Sequence, residues 1–128
     1  MKLLLDTHAF YWFVAGDARM PMHVRSAIED DGSDVFVSIA SLWEMAIKVG
    51  NGKWPEAAPV VSSFAEELTA NDFEPLPILI AHARAAGLMV SSHRDPFDRL
   101  LAAQAAIEGL ALVTADPKLA SLGAPLLW

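Results

Sequence analysis

Cysteine is absent from the 128 residues, which excludes disulfides and thiolate metal sites. Basic residues are few: nine Lys and Arg stand against sixteen Asp and Glu, a formal net charge of -7. That balance argues against a broad basic face for nucleic acid. It suits a protein that holds cations or docks a basic partner. Long apolar runs are also missing. The longest, Ala9 to Ala15, is too short to cross a bilayer. Asp6 and His8 interrupt any signal-peptide core at the N-terminus. Together these absences predict a soluble, cytoplasmic protein. No repeat, low-complexity tract or linker divides the chain, and its length predicts one domain over residues 1–128.

What is present is an apolar excess. Hydrophobic residues make up 54% of the chain, high for a small soluble domain. A chain of this size buries about two thirds of its unfolded surface. The surplus predicts an apolar surface kept for a partner or a second copy. Lys2–Leu5, Val35–Val37, the short Glu74–Leu76, Ala111–Val113 and Pro125–Leu127 read as strands. Helical stretches lie between them at Ala9–Ala15, Pro21–Asp30, Ser41–Val49, Pro59–Ala70, Ile78–Ala86 and Pro96–Glu108. This alternation predicts βαβ units and a mostly parallel sheet.

Acids stand at telling places in that pattern. Asp6 directly follows Leu3-Leu4-Leu5, where a buried strand should end. Ligands of open α/β sheets bind outside the carboxyl ends of strands. An acid there is costly to desolvate without a partner. Asp116 repeats the placement after Ala111–Val113, although as the residue before Pro117 it also serves as a helix N-cap. Glu44 shares a polar stripe with Ser41, Lys48 and Asn51, at steps of three, four and three. Apolar faces flank that stripe on both sides: Leu42, Met45 and Val49 on one, Trp43, Ile47 and Gly50 on the other. The seam is either solvent-exposed, with Ser41 and Glu44 as a capping box, or it faces a cleft. Asp95-Pro96 opens the last long helix, and Asp98 lies in its first turn. Leu100, Ala103, Ile107 and Leu110 are the expected core stripe of that helix.

Singly, each acid has a structural explanation. Jointly they are more telling, since Asp6, Glu44, Asp98 and Asp116 could all converge on one edge of a parallel sheet. Clustered carboxylates repel unless a cation joins them. An all-oxygen set without Cys favours Mg²⁺ or Mn²⁺ over zinc. Such ions activate water and stabilise charge developing on phosphate.

The motifs LLLDTH, SIASLWEMAIKVGNGKW, HRDPFDRLLAAQA and LVTADPKL resemble, in order, those of PIN-domain ribonucleases of the VapC toxin type. The likeness runs from Lys2 almost to the last residue. It implies an α/β/α sandwich around a short, mostly parallel sheet and a Mg²⁺- or Mn²⁺-dependent endoribonuclease that leaves 5′-phosphate and 3′-hydroxyl ends. It also implies RNA as substrate, a small cognate antitoxin as partner, and a homodimer. Position by position, Asp6, Glu44 and Asp98 match the first three acids of the family pattern. Asp116 matches the fourth and most variable one. Asp95 is an extra acid, read as an N-cap or a residue supporting the ligands. Thr7 and Thr114 flank the site acids and are placed to hydrogen-bond a carboxylate or a bound water.

Lys48, Lys53, Arg94, Arg99 and Lys118 are basic residues near the motifs that could hold an RNA backbone, Lys48 foremost. His8 and His93 are read as packing or surface residues. Trp12, Trp43, Trp54 and Phe97 are read as core or interface. Two other classes compete. One is an inactive PIN-like module that only binds a basic partner, which the acidity permits and the intact acid set opposes. The other is a phosphatase of the haloacid dehalogenase type. It would want a second aspartate two residues after the first, where His8 stands.

Overall fold

Leu3, Leu4 and Leu5 have no exposed surface in the computed structural model, which describes residues 1–128. They form β1 (Lys2–Leu5), the middle strand of a five-stranded sheet. Successive strand residues face opposite sides. Leu3 and Leu5 enter one apolar core and Leu4 the other. A strand buried on both faces must be apolar throughout, which is why the run lacks alternation.

The remaining strands are β2 (Asp34–Ser38), β3 (Glu74–Leu76), β4 (Ala111–Val113) and β5 (Leu126–Leu127). Their spatial order is β3-β2-β1-β4-β5. Every pairing is parallel, so the sheet is wholly rather than mostly parallel. One face carries α1 (Thr7–Ala15), α2 (Met22–Glu29), α3 (Ile39–Gly50), α4 (Ala58–Ser62) and α5 (Phe64–Ala70). The other carries α7 (Pro96–Glu108) and a 3₁₀ segment at Pro117–Leu122. The helix α6 (Ile80–Leu88) packs along α7. This is the expected α/β/α sandwich.

The chain steps outward from β1 to β2 to β3, then returns to the far side of β1 for β4. The order therefore reverses between β1 and β4. α1 leaves β1 toward one face and the 3₁₀ segment leaves β4 toward the other. The divergence opens a crevice at the carboxyl ends of the two strands, where ligands bind in such sheets.

Some local expectations are corrected. The stretch Pro59–Ala70 is two helices, broken where the Ser63 hydroxyl donates to the Pro59 carbonyl at 2.8 Å. Ala9–Ala15 is not buried all round: Tyr11 to Val14 are half-buried and Ala15 is exposed. In α7 the core stripe is Leu101, Ala102 and Ala105, whereas Leu100 is half-buried and Ile107 is exposed. Of the expected stripe Ala103 and Leu110 are buried, and alanines let α7 approach the sheet closely, so bulk alone does not mark its buried face. α3 starts earlier than expected and its N-cap is Ser38, whose Oγ accepts from the Ala40 N–H at 3.0 Å. The capping box of Ser41 and Glu44 is therefore overturned. No helix is long and apolar enough to cross a membrane.

Candidate active site

The acids reach the crevice through helix starts. Asp6 continues the ladder, its N–H donating to Val113 O at 3.0 Å, and then caps α1 by accepting from the Ala9 N–H at 2.8 Å. Asp95 caps α7, accepting from the N–H groups of Phe97 and Asp98 at 2.9 and 3.0 Å. That cap places Asp98 in the first turn of α7. Asp116 caps the last 3₁₀ segment through the Lys118 N–H at 2.9 Å. The positive ends of α1 and α7 thus meet the charge of these acids, which favours it.

Glu44 is buried at 6% exposure, one turn and a half into α3. The polar seam faces inward. The Thr7 hydroxyl donates to Glu44 Oε1 at 2.6 Å and the Lys48 ammonium to Oε2 at 2.8 Å. Thr7 also lies 3.1 Å from the Ser41 hydroxyl. On Asp98, Oδ2 meets His93 Nε2 at 2.8 Å. Asp6, Thr7, Glu44, Lys48, Asp95, Asp98 and Asp116 line one cleft of about 170 Å³, with His8 and Leu119 completing it.

Five carboxylates share that space with one cationic side chain, Lys48. Burial pushes the Asp6 carboxyl up to about 6, and the charges of Asp98 and Glu44 add to the shift. The Thr114 hydroxyl and the Ala9 N–H pull the other way. Asp98 is also raised, mainly by burial and then by Asp95 and Glu44, against the opposing pull of His93. Unrelieved negative charge among oxygen donors is what a hard divalent cation satisfies. The donor set fits such an ion, although no three of the acids or histidines already meet at one ligating point.

The four sequence-predicted acids, Asp95, Thr7 and Lys48 therefore fall in one place. Thr114 lies buried beneath them, its hydroxyl accepting from the Asp116 N–H at 3.1 Å. Arg94 and Lys118 line a wider hollow of about 720 Å³ that Asp95, Asp98 and Asp116 share. Lys53 is exposed and outside both. Arg99 is committed elsewhere: its guanidinium donates to the carbonyls of Ala86, Met89 and His93. His93, read from sequence as a packing or surface residue, instead faces the site through Asp98. It rides on the loop before α7, where no periodicity signals direction; its place two residues before the Asp95 cap was the only clue.

A family profile described as PIN domain matches residues 3–125. The chain belongs to the PIN-domain family. Among curated proteins, Ribonuclease VapC22 of Mycobacterium tuberculosis is 34% identical over 122 residues, spanning 93% of this chain and 90% of that one. Among solved structures, this PIN domain superposes on VapBC2 from Rickettsia felis, bound to a DNA fragment from its promoter. The TM-score is 0.68 at 14% identity, covering 100% of this chain and 98% of that one. FitAcB from Neisseria gonorrhoeae gives a TM-score of 0.63 at 19% identity, covering 98% and 96%. At such identities the superpositions carry the PIN fold itself, and the five-stranded parallel sheet agrees with it.

Proposed function

We propose that the chain is a metal-dependent endoribonuclease of the VapC type, hydrolysing RNA phosphodiesters in the acid cleft. The observation that carries this reading is the convergence of Asp6, Glu44, Asp98 and Asp116 on one crevice at the switch point of the sheet. The 34% identity to Ribonuclease VapC22 supports it. When bound, Mg²⁺ or Mn²⁺ would supply Lewis-acid polarisation of a phosphoryl oxygen and a bound water made more acidic than bulk water.

The side chains would divide the work as follows. Asp6, Glu44, Asp98 and Asp116 hold the cation. Asp6 keeps one oxygen on Ala9 and offers the other. Thr7 fixes Glu44 through Oε1, and His93 fixes Asp98 through Oδ2. Lys48 neutralises Glu44 and stands ready for a phosphate oxygen. Arg94 and Lys118, in the adjoining hollow, extend the path for the RNA backbone. Asp95 and Thr114 support the ligands from behind.

A small antitoxin is the expected partner, as the family resemblance implies and as VapBC2 and FitAcB among the structural neighbours support. An arginine from that partner would suit the acid cleft. A homodimer and a cytoplasmic location complete the reading. Ile39, Trp43 and Ile47 on α3 are exposed apolar residues available to either partner.

Purified protein should cut RNA with Mn²⁺ or Mg²⁺ and stop when the metal is chelated. Asp6→Asn should be inactive while folded. An Asp6→Asn protein that cleaves as well as the parent removes the assignment. The inactive-module reading would instead require tight partner binding with no cation uptake by calorimetry.

A further inference from the structure

We infer that a slot beside the acid cleft is a stacking site for one nucleobase of single-stranded RNA. It lies between His8 and Trp12 of α1 and the Ala115–Pro117 turn after β4. The inference rests on the nuclease reading and adds where the base next to the reacting phosphate goes. The slot measures about 380 Å³, within the usual range of small-ligand sites.

Continuity is the first argument. Asp6, His8 and Asp116 line both the slot and the acid cleft. A ligand in the slot therefore touches the same acids that face the phosphate. A nucleotide has that layout, a planar aromatic group joined to a phosphate through one sugar.

Rigidity is the second argument. The His8 ring stacks on Trp54 at 4.8 Å with 22° between planes, and its centroid is 5.8 Å from that of Trp12. Trp12 is itself braced: the Arg19 guanidinium lies 4.9 Å from its ring centroid and the Trp128 ring 5.7 Å away. Arg19 in turn is held by both oxygens of Asp17. A base settling on these rings orders no loose side chain. Lys48 sits 5.9 Å from the Trp54 ring, so a cation for the backbone stands next to the aromatic shelf. Aromatic faces beside cations are how single strands are held without strong sequence preference. Trp12, expected in core or interface, is only half-buried and has the slot to face.

Short oligoribonucleotides test this, one intact and one set carrying an abasic residue at each position in turn. Binding to Asp6→Asn protein, which does not cut, is followed by anisotropy and tryptophan fluorescence. One abasic position should weaken binding by about ten-fold, the usual worth of a base–aromatic stack. Trp12→Ala should weaken the intact RNA by a similar factor and leave that abasic RNA unchanged. Trp12→Phe should keep the discrimination. His8→Ala, at an exposed position, gives the same reading if Trp12→Ala does not fold.

Variants that still discriminate as the parent does, or that weaken both RNAs equally, overturn the inference. Variants that leave both RNAs unaffected give the slot to a protein partner and overturn it too. Failure of the parent to cleave any RNA with Mn²⁺ or Mg²⁺ is a different outcome. It removes the nuclease reading, while the binding series still reports on the slot.

Discussion

One oxygen of Asp6 caps α1 through the Ala9 N–H, and asparagine caps helices as well as aspartate does. Asp6→Asn therefore removes a charge and little else. With its carboxyl raised to about 6, Asp6 holds a proton in mildly acidic solution, and a cation must displace it. Calorimetric Mn²⁺ affinity should rise by about five-fold from pH 5 to pH 6 and level off above about pH 7, since below its pKa Asp6 must release a proton for each ion bound. An affinity flat across that window would show that Asp6 is not a ligand. His93 acts on Asp98 from the loop before α7, as an orienting partner rather than a group that touches substrate. Residues that orient a metal ligand typically cost about 10- to 100-fold in metal affinity when removed. His93→Ala should fall in that range, and His93→Gln, which keeps a donor near Nε2, should recover most of it. Equal affinities for the parent and His93→Ala would make the contact incidental.

That loop is held by α7 itself. Arg99 donates to carbonyls at the end of α6 and in the loop, those of Ala86, Met89 and His93. One planar fork thus stitches α6, the loop and α7 together, and lysine cannot reproduce its geometry. Arg99→Ala should lower stability by about 2–3 kcal/mol, the usual worth of lost hydrogen bonds to a charged group, read by urea unfolding. Arg99→Lys should recover only part of it. An Arg99→Ala protein of parental stability but reduced RNA affinity would return Arg99 to the RNA-contacting role its position in sequence predicts. The same elements mark how far the sequence could be read. All five strands were legible: four carry short apolar runs bounded by polar residues or turns, and β3 stands out only as a short extended stretch between helices. Asp6 and Asp116 were legible because they end strands, and Asp98 because Asp95-Pro96 marks a helix start. Glu44 left two readings open, since a stripe of Ser41, Glu44 and Lys48 looks the same whether it meets water or Thr7. The buried face of α7 was read only in part, right at Ala103 and Leu110 and wrong at Leu100 and Ile107, because alanine marks close approach without adding bulk. The contact of His93 with Asp98 and the slot beside Trp12 were not legible: both depend on how a loop and a strand end come to lie in the fold.

For the whole molecule, the cleft sets catalytic readiness against stability. The folded carboxyl of Asp6 is raised from 3.8 to about 6, so between those values the native state keeps a proton that the unfolded chain releases. Stability must then fall as pH rises through that window, and the full cost is carried above it. A shift of this size corresponds to about 2–3 kcal/mol. In chelator, Asp6→Asn should therefore unfold later than the parent at pH 7 by about that much, with the gap closing near pH 4. On the metal-dependent reading, added cation works the other way, because it would bind the folded state alone. At a hundred times its Kd it should restore about 2.7 kcal/mol to the parent and nothing comparable to Asp6→Asn. The order of the two proteins should thus converge or reverse on adding Mn²⁺ at pH 7, a contrast that thermal unfolding in four buffers would resolve. Equal stability in chelator would mean that water reaches Asp6 and that the crevice is open. The tolerance for such a buried charge comes from the rest of the fold. β1 is sealed by apolar cores on both faces, and the helix starts of α1 and α7 turn their positive ends toward the acids.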